Sequence, residues 1–357
     1  MKLANYLTKK GIRNAFLTTD ILPELKKDLA GTDIILVKKT TINSFKLGEG
    51  FMLRRGVGML IKDFDIINVH NYPAELAIFA CFKPAVWMCN EPPPISIGLD
   101  SRTPLIKKII IKMILSLDRF VVRRYVKNAV VADELSAQRF ESIYGLKPDI
   151  INYGIDYEFF SNLNEDKTFK KSDTSGSFTV LQVGMLTPLK NQIESIRTIE
   201  KLTGDIPNIK LILAGWGKNA YSDMVEEYIK EKKLGDRVLI TGHLSRESIR
   251  DLYHACCLLL HPIEPQGGWL SPFEALCARK PIVVSPGMTA SGIIKREKIG
   301  VVTKDYAGAI LDIYNNPDTY RQVAMRGQEW VRDNLNWDRF CEKMLNLFFR
   351  VSKKEET

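Results

Sequence analysis

With 357 residues, 45% of them hydrophobic and 26% charged, the chain exceeds one comfortable hydrophobic core and has ordinary globular composition. Disordered and collagen-like classes are thereby excluded. The formal net charge of +9 asks for an anionic partner, whether nucleotide, membrane surface or nucleic acid, without choosing among them.

Residues 1–10 read as a helix, with Gly11 suited to the position just past its end. They lack the apolar core of a signal peptide, so secretion is not supported. Strands are expected over 14–18, 33–37, 66–69, 85–89, 129–132 and 149–152, alternating with helix-period segments in the pattern of a parallel α/β sheet. His70 and Asn71 then fall at a strand's carboxyl end, where ligands of such sheets gather. His70 either lines a ligand site there or is simply structural.

Between 102 and 127 eight cations (Arg102, Lys107, Lys108, Lys112, Arg119, Arg123, Arg124 and Lys127) meet one acid, Asp118, amid apolar residues. Lysines interrupt the run too often for a membrane span. Two readings stand: a basic amphipathic helix resting on anionic lipid, or a half-buried helix whose basic side faces water. Aromatic and basic residues are not interleaved as in RNA-binding modules, so no nucleic-acid partner is expected.

Domain boundaries follow the composition. Rossmann-like domains are expected over 1–160 and 178–339, joined by a polar linker over 161–177, with a terminal helix at about 340–357. The second series places strands at 178–183, 210–214, 238–241, 258–260, 281–284 and 300–303, and helices at 191–202, 222–233, 245–254 and after Ser271. The fold class is α/β: two doubly wound domains facing a cleft. In the first, the opening strand and glycine turn are absent, through either an upstream segment or an unusual start.

Cysteine usage fits a cytoplasmic protein. Cys81, Cys89, Cys256, Cys257 and Cys277 sit in apolar or motif-like surroundings and Cys341 does not; no Cys-x-x-Cys pair occurs. Adjacent Cys256 and Cys257 point to opposite sides of any strand, so they are not expected to bridge.

The richest stretch runs from Glu264 to Ser285. A strand enters a Gly267-Gly268 loop, Trp269, Leu270 and Ser271 open a helix, and Glu274 stands one turn in. Paired glycines let backbone N–H groups approach an anion, and the helix start adds its positive dipole end. The same pattern would equally serve a loop with no ligand. A second stretch, residues 180–191, ends a strand at Gly184 and Met185 and reaches Lys190. Lys190 either stabilises an anion or caps a loop.

Together these stretches resemble the family 4 retaining glycosyltransferases of GT-B fold, within the glycosyl transferases group 1. Aligned on Glu274-Ala275-Leu276-Cys277-Ala278, the second Glu of the family's Glu-x7-Glu signature is Glu274 and the first falls on Gln266. The resemblance implies that Glu274 holds the donor ribose, while Gln266 contacts the transferred sugar without carrying charge; Glu264 is a possible substitute by a loop shift. It gives Lys190 the pyrophosphate and leaves Met185 where an Arg is usual. Gly215, in Gly-Trp-Gly, and Gly242-His243 match segments around the donor, and Tyr153-Gly154-Ile155-Asp156 matches the hinge turn. Asn90 stands at the family's His position, and neighbouring Glu91 either steadies positive charge or is a turn residue before prolines.

The resemblance implies transfer of a sugar, with retention, from a UDP- or GDP-sugar to a glycan or lipid-linked acceptor. The enzyme would need no metal or other cofactor and would act in the cytoplasm or peripherally on the membrane's inner face. The departures at Met185, Gln266 and Asn90 keep open a non-catalytic sugar-nucleotide or membrane-surface binding protein of the same fold.

Overall fold

The computed structural model describes residues 1–21, 23–27, 29, 31–37, 47–90, 104–162, 176–263 and 269–353. It contains two compact units, Met1–Tyr153 with Trp337–Thr357, and Gly154–Asn336. The first opens with α1 (Lys2–Lys9), β1 (Ala15–Thr18), α2 (Pro23–Lys27), β2 (Asp33–Leu36), α3 (Leu47–Leu60), β3 (Ile67–His70) and β4 (Ala85–Met88). It continues through α4 (Leu105–Val121), β5 (Lys127–Val131), α5 (Glu134–Tyr144) and β6 (Asp149–Ile150). The second carries α6 (Tyr157–Ser161), β7 (Phe178–Val183), α7 (Gln192–Leu202), β8 (Ile209–Ala214), α8 (Ala220–Glu231), β9 (Val238–Gly242), α9 (Arg246–Ala255) and β10 (Leu258–His261). It ends with α10 (Leu270–Cys277), β11 (Ile282–Val284), α11 (Ser291–Glu297), β12 (Val301–Val302), α12 (Tyr306–Asn315) and α13 (Pro317–Asn334); α14 (Trp337–Lys353) returns to the first unit.

Every strand pairing among the described residues is parallel, as unbroken apolar strand runs between helical segments require. In the first unit successive residues of β4 and β5 alternate between two cores. Val86, Met88 and Val130 pack with Leu3, Leu7, Phe340, Met344 and Leu347 of the first and last helices. Ala85, Trp87, Ala129 and Val131 pack on the other face with Phe140 and Tyr144. Both faces are covered, so the unit is doubly wound. Its strands nevertheless form two sheets, β1-β2 and β3-β4-β5-β6. β1 and β3 are not paired, and a sheet of order 3-2-1-4-5-6 would hold its opening strand at that place.

Two readings are corrected. Cys341 is buried on the inner face of α14, beside Phe340 and Met344, because the helix period carries it there. The helix expected from 222 starts two residues earlier, since Asn219 accepts from the backbone N–H groups of Tyr221 and Ser222 and forms a capping box with Ser222. All six cysteines are free thiols.

The second unit holds a six-stranded sheet in the order β9-β8-β7-β10-β11-β12, the doubly wound 3-2-1-4-5-6 arrangement. Val180, Leu211, Leu213, Leu258, Leu260 and Val283 share one core with Ile196, Ile199 and Leu202, spaced at helical period on α7.

One buried polar cluster stands out in the first unit. Glu75, Asp118 and Tyr144 have at most 1% of their surface exposed, and the Tyr144 hydroxyl donates to Asp118 Oδ2 at 2.8 Å. Burial first, and then the charge of Asp118, push the Glu75 carboxyl well above its ordinary range. Burial likewise raises Asp118, against the Tyr144 hydrogen bond. A raised carboxyl keeps in the folded state a proton that the unfolded chain releases above about pH 4.3, so stability falls as pH rises past that value. Replacing Glu75 with Gln is expected to flatten this slope: thermal melts between about pH 5 and pH 8 should show wild type losing stability relative to Glu75→Gln as pH rises.

Candidate active site

The site is assembled from the strand ends of the second unit. Gly184 follows β7, Gly215 follows β8, and Gly242 closes β9 and bridges to Gly215. A β-carbon on Gly215 would overlap the carbonyl oxygen of Gly184 and lie 2.6 Å from its carbonyl carbon. Gly184 has φ +151° and leaves room for Lys190, whose Cγ, Cδ and Cε pass 3.3–3.5 Å from where a β-carbon would stand. The lysine stem is thereby laid across the strand end.

The turn carrying Lys190 is held at several points. The Gln182 amide, buried in β7, donates to the Lys190 carbonyl at 2.6 Å and accepts from the Ser195 hydroxyl at 2.7 Å. Gln192 donates to the Met185 carbonyl at 2.9 Å and Asn219 to the Leu186 carbonyl at 3.0 Å. Asn191, in the left-handed conformation, donates from Nδ2 to the Pro262 carbonyl at 3.2 Å. Pro262 directly follows β10, and the next carbonyl, that of Ile263, accepts from the Ser285 hydroxyl at 2.6 Å. The exits of β7 and β10 are thus tied together. These two strands are neighbours at the switch point of the sheet, where open α/β folds place their ligands.

Gln266, Gly267 and Gly268, with Glu264, lie outside the described residues, as do Glu91 and most of the expected linker. Beyond the glycines, Trp269 is buried and packs on Phe273 with ring centroids 4.7 Å apart, at the start of α10. Leu270 is exposed and Ser271 half-buried. Glu274 is half-buried and accepts from the Tyr253 hydroxyl at 2.9 Å. Burial raises the Glu274 carboxyl, while the Tyr253 hydrogen bond and the nearby Arg246 guanidinium lower it. Arg246 is itself held by Asp156 at 2.8 Å and lies over the Phe159 ring at 4.2 Å. Met185 and His243 are exposed.

The first unit gathers a different set. His70 ends β3, and Asn71 and Asn90 lie just beyond β3 and β4. Asn90 donates to Asn71 Oδ1, and the Tyr153 hydroxyl donates to Asn90 Oδ1, making one chain of three side chains. Desolvation, then the positive N-terminus, lowers His70 to about 4, although the residue as a whole is exposed. The imidazole is therefore neutral at pH 7. Its Nε2, 3.0 Å from Asn68 Nδ2, then acts as acceptor. Gln182, Asn191, Tyr253 and Tyr153 were not singled out as site residues from sequence. Asn191 beside Lys190 offered the one local signal, an Asn suited to positive φ.

Residues 164–330 match the family model described as Glycosyl transferases group 1. The chain is 24% identical to the O-antigen chain mannosyltransferase RfbU of Salmonella typhimurium, over 62% of this chain and 65% of that protein. It is 21% identical to the alpha-1,3/1,6-mannosyltransferase ALG2 of Dictyostelium discoideum, over 79% of this chain and 74% of that one. It therefore spans just under two thirds of RfbU and about three quarters of ALG2. Among solved structures it is similar to Anabaena Alr3699/HepE in complex with UDP-glucose, with a TM-score of 0.78 and 16% identity over 98% of this chain and 95% of that one.

The strand-end geometry carries its own test. Gly215→Ala forces backbone apart at the meeting of β7 and β8, so a loss of roughly 2 kcal/mol or more is expected from chemical denaturation, whereas Gly235→Ala, where a β-carbon meets no atom within 4 Å, should be near neutral. The fold is GT-B, and the segment 164–330 of this chain is similar to the glycosyl transferases group 1.

Proposed function

We propose that the protein is a retaining glycosyltransferase that moves a hexose from a UDP- or GDP-sugar to a glycan or lipid-linked acceptor. One observation carries this reading: the Lys190 turn leaves β7 and is joined by the Asn191–Pro262 hydrogen bond to the exit of β10, its neighbour at the switch point. The family match and the two mannosyltransferase relatives support sugar transfer; the complex of HepE with UDP-glucose supports a nucleotide donor. Six free thiols suit a cytoplasmic setting.

In this reading the diphosphate lies between the Lys190 ammonium and the start of α10, with Gly267 and Gly268 lining its approach and Gly184, Gly215 and Gly242 leaving bare backbone beside it. Negative charge grows on the leaving phosphate as the glycosidic bond breaks. A fixed cation and oriented N–H groups meet that growing charge better than they meet the ground state, which lowers the barrier. Glu274, positioned by Tyr253, accepts from a ribose hydroxyl, and Gln266 bonds the transferred sugar. The leaving phosphate takes the acceptor hydroxyl's proton on the face from which it departs. Retention follows, because the new bond forms on the side where the old one broke. His70, Asn71, Asn90 and Glu91 stand on the acceptor side, and the chemistry uses no metal or other cofactor.

Initial rates with UDP- and GDP-linked hexoses test the reading. Lys190→Met is expected to lower kcat by about 10²–10³, the usual effect of removing one charge-stabilising group. Glu274→Gln is expected to weaken donor binding by about 10–100-fold, the worth of a hydrogen bond to a charged group, and chelator should leave the wild-type rate unchanged. Nucleotide binding with no turnover of any donor would instead identify a non-catalytic binder.

A further inference from the structure

The helix α4 presents three stripes. Ile111, Ile114, Asp118 and Val121 are buried against the first unit. A second apolar set faces outward: Ile106 is 74% exposed, Met113 67%, Phe120 51%, Ile109 49%, Ile110 42% and Leu117 36%. At 100° per residue these six span an arc of roughly 100°. Along one edge of the arc run Lys108, Lys112, Arg119 and Arg123, at spacings of four, seven and four. The only acid of the helix, Asp118, lies on the buried side.

The arc continues past the helix end. Phe82 is 70% exposed, and Tyr125 stands between Phe82, Phe120 and Phe79, all edge-on with centroids 5.6–6.0 Å apart. Arg124 lies over the Phe82 and Tyr125 rings at 5.7 and 5.5 Å. The buried stripe is pinned by the Tyr144–Asp118 hydrogen bond, so the outward stripe cannot turn inward without breaking it. No helix among the described residues is long and apolar enough to cross a membrane.

We propose that this face of α4, with its aromatic end, is a docking surface for an anionic lipid bilayer, the helix lying in the interfacial plane. An occupant must be apolar opposite the arc and anionic along its edge. Lipid offers both at once: acyl chains receive Ile106, Met113 and Phe120, while lysine and arginine stems reach up to headgroup phosphates. A second copy fits less well, because two such faces would bring together basic rows with no exposed acid on the helix between them. The inference does not depend on the proposed sugar transfer.

Flotation of the full chain with vesicles tests it, comparing equal parts phosphatidylglycerol and phosphatidylcholine with phosphatidylcholine alone. Wild type is expected to float with the anionic vesicles at low salt and to be released by high salt. Lys108→Gln with Lys112→Gln and Arg119→Gln should weaken binding by about a hundredfold, near fivefold per cation. Ile106→Ser with Met113→Ser and Phe120→Ser should abolish flotation while the circular dichroism melt stays cooperative. Removing the same charge from the second unit, with Lys218→Gln, Lys230→Gln and Lys233→Gln, should leave flotation unchanged. The proposal is overturned if wild type stays unbound, if the apolar variant floats as well as wild type, or if the second-unit variant loses as much as the α4 variant. A dimer that dissociates in the apolar variant, without vesicle binding, would also overturn it.

Discussion

Bare backbone meets bare backbone where β7 and β8 end in the second unit. A β-carbon at residue 215 would stand inside the Gly184 carbonyl, and Gly184 itself adopts a φ that side chains resist. The space so cleared is crossed by the stem of Lys190. Much of the surrounding hydrogen bonding holds this one arrangement: Gln182 and Ser195 from within the sheet and α7, Asn219 from the start of α8, Asn191 reaching across to β10. The turn and the lysine stem are therefore pre-set at a switch point, and in the proposed function this spares reorganisation on anion binding, which is the condition for charge stabilisation to act on a transition state.

The first unit obeys another constraint. Its four-stranded sheet is covered on both faces, yet Glu75 and Asp118, buried beside Tyr144, place carboxyl groups where water does not reach. Such groups survive by staying protonated or by accepting strong hydrogen bonds. The arrangement fixes one side of α4 inward and so determines which of its two apolar stripes is presented to the outside.

Much of this was legible in the sequence, for a reason particular to parallel sheets. Strands covered on both faces must be apolar throughout, so 178–183 and 258–261 read directly as strands, and the glycine-bearing turns after them read as phosphate-type loops. Lys190 was legible through the family resemblance, whereas the passage of its stem over Gly184 appears only in the structure. Partners distant in sequence were not legible: Asn191 and Pro262 are 71 residues apart, Tyr253 and Glu274 are 21, and only packing brings them together. Periodicity also could not say which apolar side of α4 faces the core, because both sides repeat at helical spacing. Cys341 is the opposite case. Its place in the row of Phe340, Met344, Leu347 and Phe348 follows from helical spacing, which the sequence already contains.

The most direct measurement is a crystal structure of the full chain with UDP or GDP bound. The diphosphate is expected at the carboxyl ends of β7 and β10, with a phosphate oxygen about 3 Å from Lys190 Nζ and the ribose against Glu274. A nucleotide bound elsewhere, or a Lys190 side chain turned away from the phosphates, would contradict the assignment of this site.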